Sequence, residues 1–222
     1  MKKITQALIM AGGVGARMSE SINPFHSKPL IEYAGQSMLG HLLDNLYKTG
    51  IKNFLIATNQ NSYNAIFSIV SNKKIPNIAV VVADGKTVAG RPEYGAVPYE
   101  IKDFLKDRFL MVCGHHPVSI LHIRKMLDSA KIYKNVFTAY PNNLYTMDKT
   151  KRVIYNNGNF RFVNLEKDII SNKHFYVRNP YILQKEFIES TSIYIDDYRE
   201  TFSFYIFKEW DEKKKISRRS HS

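Results

Sequence analysis

The feature that most constrains this chain is an apolar strand running directly into a glycine-rich turn near the N-terminus. Residues 7–10 read ALIM and residues 11–15 read AGGVG. Because glycine has no Cβ, the backbone N–H groups of such a turn can approach an anionic group closely, a phosphate above all. Two cations, Arg17 and Lys28, follow in the same segment. Backbone donors together with an arginine and a lysine are the combination that a nucleoside triphosphate requires.

Two well-known phosphate-binding motifs do not match this turn. A Walker P-loop reads GxxxxGK[ST], but Gly15 is followed by Ala16 and Arg17. A dinucleotide fingerprint GxGxxG beginning at Gly13 would need a glycine where Met18 stands. A glycine cluster after a strand also occurs in purely structural turns. The identity of the loop therefore depends on the longer string around it.

The longer string resembles the signature of the sugar-nucleotide pyrophosphorylases. In that family an apolar strand leads into AGGxGxRM, and KPL follows after a short interval. This chain has AGGVGARM at residues 11–18 and KPL at residues 28–30. The resemblance implies that Arg17 and Lys28 are catalytic. It also implies nucleotide binding by the backbone of the turn, at Ala11, Gly12, Gly13 and Gly15.

Other nucleotide contacts are implied by a looser match further along. The family holds the base and ribose with a GTAxA-type segment, for which residues 93–96, EYGA, are the best candidate, with Gly95 as the matching glycine. Asp84 and Gly85 lie just upstream and are a second candidate for facing the base, although ordinary loop chemistry accounts for them equally well.

A departure from the family pattern occurs after the strand at residues 109–113. The family has Gly-Asp at this point, and the aspartate binds Mg²⁺. Here Gly114 is followed by His115. Mg²⁺ takes oxygen ligands, whereas imidazole suits zinc, copper, nickel or iron. Three interpretations stay open: His115 binds a softer divalent metal, His115 hydrogen-bonds phosphate while another group holds Mg²⁺, or metal-dependent catalysis has been lost.

The sugar-side contacts are carried over from two further elements. The family's hairpin ends in Glu-Lys-Pro, where Glu and Lys contact the sugar phosphate, and this chain has Glu166 and Lys167 but no proline after them. The later NxGxY element is matched by Asn179 and Tyr181 without its glycine. Asp197 is a candidate for a second metal ligand, and a surface aspartate at a helix start is the alternative.

Three functions follow from the resemblance. The first is a nucleotidyltransferase of nucleotide sugar biosynthesis, which joins a nucleoside triphosphate to a sugar 1-phosphate and releases pyrophosphate, with Mg²⁺ or a softer divalent metal as cofactor. The second is a cytidylyltransferase acting on a non-sugar phosphate. The third is a catalytically impaired nucleotide-binding or regulatory protein that keeps the turn but lacks the metal aspartate.

The order of the remaining patterns predicts the fold. Apolar strand patterns alternate with helical ones in the first half, which favours a doubly wound, mostly parallel α/β sheet. The resemblance implies a Rossmann-like nucleotide-diphospho-sugar transferase fold with a small sugar-side β-hairpin. We predict strands over 7–11, 53–58, 79–83, 109–113, 136–140, 151–155, 161–165 and 175–177. We predict helices over 38–48, 63–71, 120–130, 182–190 and 197–210, and a helix that ends over 100–105.

Composition sets the outer limits. The 222 residues suit one domain over 1–212, and the basic residues 213–222 are expected to form a disordered tail. The single cysteine, Cys113, excludes an internal disulfide and favours a cytoplasmic setting. No apolar run is long enough to cross a membrane, so no membrane partner is expected. The net charge of +12 is scattered without aromatic interleaving, which favours anionic small substrates over nucleic acid.

Overall fold

The computed structural model describes residues 2–13, 27–83, 97–141, 152–156, 159–162, 174–186 and 188. The strands in these ranges are β1 Gln6–Met10, β2 Glu32–Tyr33, β3 Gln36–Ser37, β4 Asn53–Thr58, β5 Ile78–Val82, β6 Arg108–Cys113, β7 Val136–Pro141, β8 Arg152–Asn156, β9 Asn159–Phe162 and β10 His174–Gln184. The helices are α1 Met38–Lys48, α2 Tyr63–Ser71, α3 Val97–Glu100 and α4 Ile120–Ser129. Short 3₁₀ turns cover Lys28–Leu30, Gln60–Ser62 and Lys102–Phe104.

The described strands, apart from the small β2–β3 ladder, form one sheet. Its order is β5-β4-β1-β6-β10-β8-β9, with β7 also paired to β10. The pairs β5–β4, β4–β1 and β1–β6 are parallel. The second half of the chain adds antiparallel pairs, including the pair between β8 and β9. The predicted α/β fold is confirmed, and its parallel part carries the glycine-rich turn.

Local sequence signals explain the helices that flank this parallel part. The Ser37 side chain accepts a hydrogen bond from the Gly40 N–H at 3.1 Å, which satisfies one free donor of the first turn of α1. Ser119 does the same for His122 at 3.2 Å, at the start of α4. Both helices begin where the sequence predicts, and α2 matches its predicted bounds.

The core lies on both faces of the sheet. Successive residues of β1 point to opposite faces, because side chains alternate along a strand. Ala7 and Ile9 join a cluster with the apolar sides of α1, α2 and α4. Leu8 and Met10 join a second cluster with residues of the 97–105 segment and of β10. Since all five residues of β1 are buried, this strand is the centre of the molecule.

Two predicted helices differ from the observed structure. The helix predicted over 182–190 is wrong at its start, because β10 continues to Gln184 and pairs with β6, with Ile182 opposite Leu110. An apolar run of this length is compatible with a helix or with a buried strand. Pairing with β6, which is distant in sequence, selects the strand here. The helix ending over 100–105 is interrupted: α3 stops at Glu100 and a 3₁₀ turn covers Lys102–Phe104. The predicted strand residues 163–165, the helix over 197–210 and the tail lie outside the described residues.

Candidate nucleotide site

The end of β1 passes into the glycine turn beside the end of β4. The Ala11 N–H donates to the Ala57 carbonyl at 2.7 Å, and the Gly12 carbonyl accepts from the Asn59 amide Nδ2 at 2.7 Å. Asn59 Oδ1 in turn accepts from the Ser62 N–H at 2.9 Å. A Cβ on Gly12 would lie 3.3 Å from the backbone nitrogen of Asn59, whereas one on Gly13 would meet no described residue within 4 Å. Gly12 is therefore packed against β4, while among the described residues none closes the space beside Gly13.

The end of β6 lies next to the same turn. The Gly114 N–H donates to the Met10 carbonyl at 2.9 Å, which extends the β1–β6 pairing by one residue. A Cβ on Gly114 would lie 3.2 Å from Cγ of Pro29 and 3.4 Å from Cβ of Ala11. The KPL motif is therefore seated directly on the end of β6, and the absence of a side chain at Gly114 permits this contact.

These contacts meet at the point where the strand order reverses. From β1 the chain proceeds to β4 and β5 on one side, and then returns to β6 on the other side. In open α/β sheets, ligands bind outside the carboxyl ends of the strands at such a switch point. The glycine turn, Lys28 and Gly114 thus converge where this fold type binds its ligands.

The pKa of His115 is shifted by its surroundings in the site. Its pKa is lowered from 6.5 to about 4, first by burial and then by the neighbouring charges of His116 and Lys28. The rings of His115 and His116 lie 4.7 Å apart in an edge-on arrangement. The influence of Lys28 places the KPL lysine near the imidazole. At neutral pH His115 is therefore uncharged, with one ring nitrogen able to donate a hydrogen bond and the other able to accept one or bind a metal.

The two predicted substrate residues on β10 occupy different environments. The Asn179 amide Nδ2 donates to Cys113 Sγ at 3.0 Å, which places Asn179 beside the end of β6. Its Oδ1 atom is buried without a hydrogen-bond partner in the structure. Tyr181 is only 3% exposed and packs in the core, with its ring 5.8 Å from that of Phe137. The structure therefore brings Asn179 to the site, while Tyr181 contributes to packing beneath it.

The magnesium ion implied by the resemblance does not fit the described donors. Around the end of β6 the described residues present the Cys113 thiol, the imidazoles of His115 and His116, and the side-chain amide of Asn179. Mg²⁺ requires oxygen ligands in a nearly octahedral arrangement. Within the described ranges, no three His, Cys, Asp or Glu side chains are grouped so that they could hold a metal ion. The donors present suit a softer metal or a phosphate oxygen better than Mg²⁺.

Several predicted site residues cannot be placed against this geometry. They lie outside the described residues: Gly15, Arg17, Asp84, Gly85, Gly95, Glu166, Lys167 and Asp197. Their assignments stay predictions.

Two residues near the site were not predicted from the sequence. Asn59 holds the glycine turn through the Gly12 carbonyl. Thr58 is fully buried at the end of β4, and its hydroxyl has no hydrogen-bond partner in the structure. The available signal was their position, since a polar pair directly after a buried parallel strand lies at the ligand-binding edge of the sheet.

Comparison with known families supports the interpretation of the N-terminal segment. Residues 7–90 match the family model of the MobA-like NTP transferase domain. The match begins in β1 and includes the glycine turn, the KPL motif, α1, β4 and α2. No significant match to a curated protein sequence was found.

Solved structures resemble the whole chain at low sequence identity. 4-Diphosphocytidyl-2C-methyl-D-erythritol synthase from Anaerococcus prevotii is 18% identical, with a TM-score of 0.62 over 94% of this chain and 84% of that one. The inositol-1-phosphate CTP transferase from T. maritima is 15% identical, with a TM-score of 0.67 over 95% and 83%. A UDP-glucose pyrophosphorylase complexed with UDP-glucose is 14% identical, with a TM-score of 0.66 over 94% and 88%. At these identities the likeness shows the fold.

The fold and the site together define the class. Residues 7–90 match the model of the MobA-like NTP transferase domain, and the fold resembles those of a UDP-glucose pyrophosphorylase and an inositol-1-phosphate CTP transferase. The resemblance to the sugar-nucleotide pyrophosphorylases and the prediction of a nucleotidyltransferase are thereby confirmed. The acceptor and the base belong to the proposal that follows.

Proposed function

We propose that this protein transfers a nucleotidyl group from a nucleoside triphosphate to a sugar 1-phosphate, with release of pyrophosphate. The observation that carries the proposal is the convergence of the Gly12–Gly13 turn, Lys28 and Gly114 at the switch point of the sheet. Pro29 packs against Gly114, and the charge of the preceding Lys28 contributes to lowering the pKa of His115. A backbone cradle and a cation held together at a ligand-binding edge suit a chain of phosphates.

The proposed reaction requires little covalent help from the protein. A phosphate oxygen of the acceptor attacks the α-phosphorus, the bond to the β-phosphate oxygen breaks, and pyrophosphate leaves with that electron pair. The nucleophile is already an anion, so no general base is needed. Catalysis then depends on positioning and charge neutralisation.

Each residue at the turn has a role in that positioning. We assign the triphosphate to the backbone N–H groups of Gly12, Gly13 and Gly15. Arg17, with its planar donor fork, is assigned to the β- and γ-phosphates of the leaving group. Lys28, a compact charge, is assigned to the α-phosphate and the incoming phosphate. Glu166 and Lys167 remain candidates for the sugar phosphate, and Asn179 is a candidate at the end of β6.

His115 is assigned to a hydrogen bond with a phosphate oxygen. A low pKa keeps its ring neutral and available as a donor at physiological pH. A divalent metal, when bound, would neutralise phosphate charge, and an imidazole site favours a softer ion than Mg²⁺. Mg²⁺ itself arrives bound to nucleoside triphosphates and keeps several waters, so its ligands need not include His115.

A cytidylyltransferase acting on a non-sugar phosphate is the second candidate. It is favoured by the described activities of two structural neighbours, one a diphosphocytidyl-methylerythritol synthase and the other an inositol-1-phosphate CTP transferase. The mechanism is unchanged, and only the acceptor and base differ. The departure at His115 favours a third candidate, a nucleotide-binding protein with impaired catalysis.

A pyrophosphate-release assay separates these candidates. The full chain is incubated with each of the common nucleoside triphosphates and with sugar 1-phosphates or phosphorylated alcohols, in Mg²⁺, Mn²⁺ and Zn²⁺. Release that requires a sugar 1-phosphate supports the main proposal, and release only with CTP and a non-sugar phosphate supports the second. Triphosphate binding without release under every metal would identify the third and refute the first two. Because no described helix is long and apolar enough to span a membrane, the assay needs no detergent; a cytoplasmic location stays part of the proposal.

A further inference from the structure

The edge of the sheet opposite the nucleotide site is strongly basic. Two clefts, of about 560 and 490 Å³, open beside the amino ends of β1 and β6 and share Lys2 and Lys3 in their walls. The first is also lined by Arg124 and Lys131. The second also contains Lys106, Arg108 and Lys134. The shared lysines make the two clefts one continuous surface, which we call the basic edge.

The acidic groups on the basic edge are already neutralised. Asp107 forms an ion pair with Lys2 at 2.8 Å, and Asp128 forms one with Lys131 at 2.7 Å. These are the two carboxylates among the residues that line the clefts, against seven cations. The basic edge therefore has a formal excess of five positive charges, a large part of the chain's +12.

Exposed apolar side chains project from the middle of this surface. Ile132 is 73% exposed and Tyr133 is 62% exposed, in the loop between Lys131 and Lys134. That loop separates the two clefts, since Lys131 lines one and Lys134 lines the other. Phe104, 64% exposed, is close by, because its carbonyl and the Lys106 N–H both hydrogen-bond the Gln6 side chain.

A half-buried arginine holds this loop in position. The guanidinium of Arg108 donates to the carbonyls of Ala130 at 3.0 Å, Tyr133 at 2.8 Å and Lys134 at 3.0 Å. It also lies 3.5 Å from the Lys2 carbonyl, which ties the N-terminal strand to the same cluster. Three bonds from one planar group fix the loop before any partner binds, so presentation of Ile132 and Tyr133 carries little ordering cost.

We propose that the basic edge is a peripheral docking face for an anionic phospholipid surface. Lysines around a projecting aliphatic and an aromatic side chain are the chemistry that binds such an interface: cations meet the headgroups and the apolar tips enter the interfacial layer. A nucleic acid is the weaker fit, because its bases would stack on Tyr133 and Phe104 but leave the aliphatic Ile132, the most exposed of the three side chains, without a partner. Attachment by this edge leaves the carboxyl ends of β1 and β6 facing water. The proposal is independent of the reaction proposed above, and it departs from the expectation, based on spanning segments, of no membrane partner.

Vesicle sedimentation with matched variants tests the proposal. The full chain is mixed with vesicles of phosphatidylcholine alone and of phosphatidylcholine with phosphatidylserine, at low and high salt. We expect binding only to the anionic vesicles, weakened by salt. Replacing Ile132→Asp and Tyr133→Asp together should lower partitioning about tenfold or more. The control is Leu121→Asp, an equally exposed residue on the first turn of α4 at the other end of that helix, and it should leave partitioning unchanged.

A fluorescent label gives an independent readout of insertion. Cys113 is the sole cysteine and is buried, so an environment-sensitive dye on Ile132→Cys reports this loop alone. Its emission should shift to the blue with phosphatidylserine vesicles, while the same dye on Leu121→Cys should not shift. Absence of vesicle binding, binding to RNA in its place, or equal binding by the Ile132→Asp/Tyr133→Asp variant would overturn the proposal. The last result would assign attachment to the basic residues 213–219, which every variant retains.

Discussion

The ends of β1 and β6 are parallel neighbours that carry different chemistry. At the end of β1 the chain presents backbone groups, with Gly13 open to the space beside it. At the end of β6, Gly114 is covered by Pro29, and the next residue is a neutral imidazole in place of a carboxylate. The first end keeps the features that bind phosphate. The second end is covered by Pro29 and lacks the carboxylate that the family pattern places there.

Because of this difference, triphosphate binding and metal preference depend on different parts of the site. A backbone cradle needs only conformation and close approach, so it tolerates changes in neighbouring side chains. The carboxylate that the family pattern places after Gly114 would attract a hard cation, whereas the neutral imidazole of His115 supplies no negative charge and binds such a cation poorly. Triphosphate binding and metal preference are therefore expected to respond to different substitutions in this protein.

The largest expected effect is from Lys28→Ala. Removing the cation seated at the junction of the two strand ends should lower the turnover by about 10²–10³-fold, by analogy with loss of one transition-state donor. The rate of pyrophosphate release measures this. Lys125→Ala, an exposed lysine on α4, is the control and should keep the wild-type rate. Equal rates for Lys28→Ala and the wild type would remove the lysine from the mechanism.

A carboxylate at the end of β6 should change the metal preference. In His115→Asp, stimulation of turnover by Mg²⁺ should rise about tenfold, within the range that changes around a metal site usually produce. The measurement is pyrophosphate release against Mg²⁺ and Zn²⁺ concentration. His116→Asp places the same charge one residue further on and should gain less. If the two variants respond alike, position 115 has no special relation to the metal.

The neutral state of His115 should appear in the pH dependence of stability. Its folded pKa of about 4 lies below the ordinary value of 6.5, so the unfolded chain binds a proton first as the pH falls. As the pH falls from 6.5 to about 4, the free energy of unfolding should decrease by about 1–2 kcal/mol, after allowance for solvent screening. Urea unfolding in the presence of a chelator measures it. His115→Asn should lose this part of the pH dependence, and an unchanged profile would contradict the lowered pKa.

The smallest effect distinguishes the two glycines directly. In Gly114→Ala the new Cβ presses on Pro29 and should lower the free energy of unfolding by about 1 kcal/mol. Gly13→Ala should leave the stability of the ligand-free protein unchanged, since no described residue lies within 4 Å of the new Cβ. For triphosphate affinity the larger loss should come from Gly13→Ala, because its new Cβ would lie where the triphosphate approaches the backbone N–H groups. Urea unfolding and triphosphate titration of both variants test this reversal.

Sequence reasoning recovered the features that depend on neighbours along the chain. Ser37 and the apolar spacing after it define α1, and the helix occupies its predicted bounds. The strand-to-glycine transition after Met10 marks the end of β1, which lies within one residue of its predicted end. Each of these signals is complete within a few residues, so no knowledge of the folded chain is needed.

Features that depend on distant pairing could not be predicted. The extension of β10 through Ile182 depends on its pairing with β6, far away in sequence. The seating of Pro29 on Gly114 and the bond from Asn59 to Gly12 are likewise contacts between distant segments. The sequence identified His115 as a departure, but its burial and the nearby charge of Lys28 are properties of the folded site.

The central claim is that a triphosphate binds where β1 and β6 end. Titration of each common nucleoside triphosphate into ¹⁵N-labelled protein, followed by amide NMR, tests it most directly. We expect that one or more of these nucleotides shift the amide signals of Gly12, Gly13, Gly114 and His115, while those of Ile132 and Tyr133 at the opposite edge stay unchanged. Shifts confined to the basic edge, or none at the ends of β1 and β6 with any nucleotide, would contradict it.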